Sequence, residues 1–401
     1  MSEKGMSGST ELAQDTPADY FCPADAAELQ EIVAQADRTK KSLSVYSTAV
    51  KTDLAVSFAR MNHILEIDAA NLLAIVEPGL KLGDLALALK KESLRFMPAE
   101  TPFHHEKSVG EFYFEGCSNI CSMKYGSAKH FLLGTEVVLA DGRQMKTGGK
   151  TVKNVTGYDM TRFMNAPFAS FGITVRFLLK LLPDVEARQP VEACFGNAAS
   201  VNGFVKDLRE AKIVPKYLIW ADPQALSLSG RKGGAGSFHF LSMELDGIME
   251  EVTHQHEIVL ALMAKHGSTA PDECGTKISG DSMWKELFTP SRGYALTDEI
   301  KVKRTDAPGF IDKFHPRAQE KGVKAGLFGQ VAEGKINIYF EELSRGSREF
   351  MEYLISILPG EGGYSTGRYS RLFGLGRVSG PLDQTEMMMK KLFDPNDTLK
   401  G

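Results

Sequence analysis

Apolar and polar residues follow two different periods along this chain, and the period at each place names the element expected there. Leu29, Ile32 and Val33 fall at helical spacing behind Asp25 and Glu28, which stand three apart, so a capped amphipathic helix is predicted there, followed by a short strand at 41–46. Leu72 to Val76 is a short apolar run stopped by Pro78-Gly79, after which Leu82, Leu85, Ala86 and Leu89 return to helical spacing. At 136–145 two strand-like arms flank Asp141-Gly142, the pair that best signals a hairpin because glycine accepts positive φ. Ile173, Val175, Phe177, Leu179 and Leu181 alternate with Thr174, Arg176 and Lys180 up to Pro183, which predicts a strand with one buried face closing a first domain. Beyond Val185 come strands at 216–222 and 238–245 and a helix at 249–266. A second series follows: strand 299–304, helix 308–321, strands 326–330 and 335–341, and helix 348–358. Two consecutive βαβ-type halves predict an α+β domain with its helices on one sheet face.

Composition narrows the classes. With 401 residues and 43% hydrophobic positions the chain can bury a large core, and at roughly 100–200 residues per domain it holds two or three domains rather than one peptide-binding module. A net charge of −4 gives no general attraction to nucleic acid or anionic lipid. The polar first residues carry no apolar leader and no later run is long enough to span a bilayer, so a cytoplasmic location is expected, with membrane association only through a partner. Five cysteines, Cys22, Cys117, Cys121, Cys194 and Cys274, argue against a disulfide framework, and the Cys117/Cys121 pair lacks the further ligands of a Zn or Fe–S site. No metal is expected.

Several segments together resemble a known family. Arg60-Met61-Asn62-His63-Ile64-Leu65-Glu66-Ile67-Asp68, continuing to Ala74-Ile75-Val76-Glu77-Pro78-Gly79, is similar to the flavoprotein subunits of glycolate oxidase and D-lactate dehydrogenase. So are Tyr125-Gly126 through Leu133-Gly134, the Glu136 to Gly142 stretch, Gly148 to Asp159, and Leu392-Phe393-Asp394-Pro395 near the C-terminus. The resemblance covers about 21–401 and implies an α+β protein of the vanillyl-alcohol-oxidase-like class: a polar tail (1–20), a two-part p-cresol methylhydroxylase-type FAD domain (21–184), an α+β cap with an antiparallel sheet (185–380), and a C-terminal segment (381–401) returning to the FAD domain. It further implies non-covalent FAD held by backbone amides, a small organic acid as substrate, and an Fe–S or paralogous flavoprotein subunit as partner. Glycine matters in such loops because N–H groups can approach phosphate only where no β-carbon intervenes.

Departures from the pattern are concentrated in the functional segments. The first phosphate loop is expected at Val45-Tyr46-Ser47-Thr48-Ala49-Val50-Lys51, which contains no glycine, although Ser47, Thr48 and Lys51 can donate by hydroxyl or ammonium. The second reads Ser108-Val109-Gly110-Glu111-Phe112-Tyr113-Phe114-Glu115-Gly116-Cys117-Ser118-Asn119, where Glu111 and Glu115 would repel pyrophosphate if aimed at it. The family acid before the Leu-Gly strand stands as His130, and only Gly172-Ile173-Thr174 survives of a further glycine segment. In the cap, both histidines of the family's Gly-His-x-x-Asp-Gly-Asn-x-His segment are replaced, by Gln330 and Asn337, and Arg371 to Gly376 lacks the Glu-His of the C-terminal motif. An amide is no base near neutral pH, so no catalytic residue is assigned. Glu333 and Lys335 read as an exposed strand-end ion pair ahead of a new polar site, and His104 and His105 as solvated loop residues ahead of flavin contacts or a flavin tether. FAD is expected to lie against Ser47, Thr48, Pro78, Gly79, Gly110, Lys153, Asn154, Gly172 and Ile173. The function expected is an FAD-linked oxidoreductase subunit that oxidises a 2-hydroxy acid or relays electrons; the alternative is a non-catalytic, flavin-free scaffold subunit.

Overall fold

The computed structural model describes residues 19–46, 52–101, 104–116, 119–150, 158–165, 171–229, 238–271, 285–288, 293–305, 307–365 and 381–400. The chain divides into two compact units, one drawn from Met1–Cys117, Ser127–Asp184 and Ser379–Gly401, the other from Ser118–Gly126 and Val185–Val378. Among the described residues no helix is long and apolar enough to cross a membrane.

In the first unit, strands β1 (Asp19–Phe21), β2 (Leu43–Val45), β3 (Leu54–Val56) and β18 (Leu399–Lys400) form a parallel sheet in the order β1-β3-β2-β18. Helix α1 (Ala26–Thr39) buries Leu29, Val33 and Ala36 against it, the stripe its spacing predicts. Its cap differs from the reciprocal box expected: Asp25 accepts from the Glu28 amide at 2.9 Å, but the Glu28 carboxylate reaches past it to the Ala24 amide at 2.7 Å. A second, antiparallel sheet runs β4-β5-β9-β7-β8, from β4 (Ile64–Asp68), β5 (Leu73–Val76), β7 (Leu132–Val138), β8 (Gln144–Gly148) and β9 (Ile173–Lys180). The Asp-Gly hairpin joins β7 to β8, with Gly142 at φ +83°. Helix α2 (Leu82–Lys91) follows β5, and a short ribbon pairs β6 (Leu94–Arg95) with β10 (Leu182–Pro183). Two short helices, α3 (Val109–Phe114) and α5 (Met160–Met164), complete the unit with α11 (Pro381–Phe393). Beyond α11 the buried Asp394 carboxylate accepts from the Thr398 and Leu399 amides at 2.8 Å each and from Lys390, which pins β18 beside β2.

The second unit is built on a seven-stranded sheet, β11-β13-β12-β15-β16-β14-β17, antiparallel between neighbours. Its strands are β11 (Ala187–Phe195), β12 (Tyr217–Ala221), β13 (His239–Gly247), β14 (Tyr294–Val302), β15 (Ala325–Gln330), β16 (Lys335–Phe340) and β17 (Gly363–Ser365). Strands β11 and β12 are joined by α6 (Ala198–Glu210) and flank β13; β14 and β15 are joined by α9 (Ala307–Glu320) and flank β16. These are two split βαβ halves, as the sequence pattern predicts. Alternate residues of the strands, such as Leu218 and Trp220 or Leu241, Met243 and Leu245, share one apolar cluster with α6, α8 (Met249–Lys265), α9 and α10 (Arg345–Ile357). Period two on the strands and 3.6 on the helices make that one-sided core.

Candidate functional site

Two places carry the residues singled out by the sequence. The first lies in unit one, where β5 ends at Val76 and the chain turns through Pro78-Gly79. Gly79 donates to the Met61 carbonyl at 2.8 Å, and a β-carbon there would collide with the Phe58 carbonyl, so only glycine fits. The same turn runs alongside the start of α3. Pro78 O accepts from the Gly110 amide at 2.9 Å and Leu80 O from the Val109 amide at 2.8 Å. Ser108 and Glu111 close a capping box, in which Ser108 N donates to the Glu111 carboxylate at 2.7 Å and Glu111 N to Ser108 Oγ at 3.1 Å. Each amide from Ser108 to Glu111 therefore already has a protein acceptor. Neither acid of this loop stands loose, since Glu115 pairs with Lys107 at 2.7 Å.

Tyr46, the residue after β2, sits on Gly110: a β-carbon on that glycine would overlap the phenol oxygen and ring. The ring packs against Phe58 and Phe114 with centroids 5.3 and 5.5 Å away. Its backbone is left-handed, φ +57°, and its hydroxyl is buried with no hydrogen-bond partner. Burial, reinforced by the Glu111 carboxylate, raises the phenol well above its ordinary range. An unpartnered buried hydroxyl costs about 1–3 kcal/mol and a left-handed non-glycine residue about the same. Two aromatic contacts return about 1–3 kcal/mol, and partial burial of the ring adds to that.

Of the expected cofactor residues, Pro78, Gly79 and Gly110 are thus brought together with Tyr46. Gly172 and Ile173 lie at the start of β9, where Ile173 pairs with Val138 and shares the apolar cluster against which Tyr46 packs. Ser47, Thr48, Lys51, Lys153 and Asn154 lie outside the described residues, as do Cys117 and Arg371 to Gly376. Tyr158 is exposed, Asp159 caps α5 through the Arg162 amide at 3.0 Å, and His130 is exposed. His104 and His105 are not solvated as expected. His104 is buried with its ring edge-on to Phe112, and His105 Nε2 lies 2.9 Å from the Ala99 carbonyl, because the turn at 104–108 folds back onto α2 and α3.

The second place is in unit two, where β15 and β16 carry the positions at which the resemblance expects histidines. Gln330 is buried, and its amide donates to the Ile120 carbonyl at 2.7 Å and to Glu333 at 2.6 Å. Glu333 also accepts from Ser122 Oγ at 2.8 Å and pairs with Lys335 at 3.1 Å, and Lys335 reaches Ser122 Oγ at 2.5 Å. The expectation of an exposed ion pair is corrected: the Glu333 and Lys335 side chains are only 9% and 15% exposed, because the segment before α4 (Ser122–Tyr125) covers them. Lys124 and Tyr125 of α4 hold the same segment down on Asp246, at 2.7 and 2.8 Å. Asn337 is buried on the neighbouring strand. Among the described residues, Gln330, Glu333, Ser122 and Lys335 satisfy one another, with no imidazole among them.

Sequence reasoning missed Tyr46 as a filler and Ser122 as the centre of this network. The signal for the first was present, since a tyrosine stands where a glycine loop was expected to begin. For Ser122, 211 residues from Glu333, no local signal exists.

Comparison with known proteins agrees with the fold. Residues 17–148 match the FAD binding domain family, whose cofactor is FAD. The glycolate oxidase subunit GlcD of Bacillus subtilis is 27% identical over 355 residues, 84% of this chain and 74% of that protein. The D-lactate dehydrogenase of Archaeoglobus fulgidus is 24% identical over 412 aligned positions, 94% of this chain and 89% of that one. Among solved structures, p-cresol methylhydroxylase with substrate bound has a TM-score of 0.72 at 18% identity, covering 94% of this chain and 87% of that chain.

Measured against FAD, the described residues of the segment expected as the second phosphate loop do not fit a pyrophosphate in this conformation. The amides of Ser108 to Glu111 are spent on protein acceptors, the Glu111 carboxylate stands among them, and Tyr46 fills the space over Gly110. The fold and the domain are nonetheless unambiguous: the chain is a divergent homologue of the glycolate oxidase and D-lactate dehydrogenase flavoproteins, with an FAD binding domain at 17–148 on a p-cresol methylhydroxylase-type fold.

Proposed function

We propose that this chain is an accessory subunit of an FAD-linked oxidoreductase related to glycolate oxidase and D-lactate dehydrogenase, and that it leaves proton abstraction from the 2-hydroxy acid to a partner flavoprotein subunit. The observation that carries this is the state of Gln330. A general base must be free to accept a proton at the substrate hydroxyl, whereas the Gln330 amide has no such capacity and is tied to Ile120 O and Glu333. Glu333, whose carboxylate stands in the network, already accepts from Ser122, Gln330 and Lys335. The similarity to a glycolate oxidase subunit of Bacillus subtilis supports a place within a larger assembly.

A second reading, that the chain is a flavin-free scaffold, is favoured by Tyr46 over Gly110. Both readings expect the same first result. A positioned base contributes roughly 10²–10⁴-fold to such reactions, so dye-linked oxidation of glycolate or D-lactate by the purified chain with added FAD is expected at least about a hundredfold slower than by a histidine-bearing relative assayed alongside. Turnover equal to the relative's would sink the proposal.

A further inference from the structure

We propose that His239 is an acid-sensitive switch in the second unit: neutral, its ring is the acceptor that holds the Trp220 indole, and on taking a proton it must give that bond up. Strand β13 begins at His239, and its register with β12 runs Trp220 to Leu241 and Ala221 to Phe240. The next step sets the half-buried His239 beside Asp222, with Trp220 two residues back on the same face. The indole Nε1–H can only donate, and it donates to His239 Nδ1 at 3.1 Å with the two rings nearly parallel, 11° apart. Nδ1 therefore carries the lone pair, and the neutral ring keeps its proton on Nε2. A second proton can enter only at Nδ1, where it meets the indole N–H head-on. Trp220 belongs to the buried apolar cluster, so the indole released there is a donor that has lost its acceptor.

The charges around the ring set when this happens. Among the described residues, Asp222 at the end of β12 and Asp312 on α9 favour the charged imidazole, and His315 on α9 opposes it; on the β11 side the ring's neighbour is Phe195, which carries no charge. Asp222 is already engaged, by the Ala225 and Leu327 amides and by His315. Burial outweighs the two carboxylates and keeps the His239 proton affinity below its ordinary range, so the Trp220 bond is intact at neutral pH. The folded ring binds a proton more weakly than the unfolded one. The stability it contributes is thus full above about pH 6.5 and is lost as the pH falls through the folded value. The release acts at a joint: Trp220 pairs with Gly329 of β15, and the next carboxylate, Asp222, ties β15 to α9, so one proton loosens the contact between the two split βαβ halves.

The test is the tryptophan emission of the full chain from about pH 8 to about pH 5, for the wild type and His239→Asn, with circular dichroism to confirm folding. Asparagine sets an amide oxygen near the place of Nδ1, so it can accept from Trp220 without titrating; His239→Gln serves as the second variant. The chain has two tryptophans, so each titration is repeated with Trp284→Phe, which leaves the Trp220 signal by itself. The expected result is a reversible transition in the wild-type emission, because an imidazolium quenches a neighbouring indole, with its midpoint below about pH 6.5, and the loss of that transition in His239→Asn and His239→Gln. Asp312→Asn removes an exposed carboxylate that favours the charged ring and is expected to move the midpoint lower. A wild-type emission that stays flat down to about pH 5, or a transition that persists unchanged in the folded histidine variants, would overturn the switch.

Discussion

Asp222→Ala is expected to be the most damaging single substitution in the second unit, lowering its stability by about 3–5 kcal/mol. Asp222 follows β12 and is fully buried. Its carboxylate caps α7 (Pro223–Leu228) by accepting from the Ala225 amide at 2.7 Å, accepts from the Leu327 amide of β15 at 2.6 Å, and meets His315 Nε2 of α9 at 2.8 Å. One side chain thus joins a helix start, a neighbouring strand and a helix on the other half of the sheet. Alanine leaves two buried amides without their acceptor, each a loss of about 1–3 kcal/mol. Nearby, the Trp220 indole donates to His239 Nδ1 at 3.1 Å, and burial holds that imidazole below its usual titration range. For a unit of 150–250 residues the melting temperature is expected to fall by roughly 10 °C or more. Calorimetry checks it, and a shift under about 2 °C would show that water or a neighbour replaces the carboxylate.

Glu333→Ala is the second large effect, and it bears directly on the proposed function. The carboxylate is the common acceptor for Ser122, Gln330 and Lys335. Its removal leaves the Lys335 ammonium nearly buried beside a serine and an amide, and breaking one partner of a buried pair costs about 3 kcal/mol or more. The segment at 119–126 then loses the Glu333 anchor and keeps Lys335 on Ser122, Asp246 and the Gln330–Ile120 bond. Hydrogen exchange at 119–126 is expected to rise by about a hundredfold, with Glu333→Gln intermediate because it keeps one acceptor. Unchanged protection would mean that the network is incidental and that Gln330 is not locked.

Most elements were legible in the sequence because their signals are local. The alternation at 173–181 and the helical run at 249–266 appear within one residue of their expected ends, and the Asp141-Gly142 hairpin forms with arms longer than expected, Leu132–Val138 and Gln144–Gly148. Errors lie where tertiary pairing overrides the local pattern. The strand expected at 41–46 stops at Val45, because Tyr46 turns left-handed to reach Gly110. The strand expected at 299–304 runs from Tyr294 to Val302, in register with β16 and β17. Helix α10 begins three residues early because Ser344 and Ser347 cap it.

The candidate site was legible as loss and not as replacement. That Gln330 and Asn337 stand where histidines were expected needs only a reading of the residues. What fills those places depends on contacts across 64 positions for Tyr46 with Gly110, and across 211 for Ser122 with Glu333, and no periodicity encodes such pairs. Glu111 shows the difference in kind. Its charge was visible as an obstacle to phosphate, but its use as the reciprocal partner of Ser108 appears only once α3 is seen to start there.

The most direct test of the account is the visible absorption spectrum of the freshly purified chain, taken before any FAD is added. With Tyr46 seated on Gly110 and the amides of Ser108 to Glu111 engaged, the flavin bands are predicted to correspond to well under one FAD per chain. A wild-type chain that emerges with one FAD bound would contradict that prediction and show that the cofactor is held elsewhere than on the described residues 108–111.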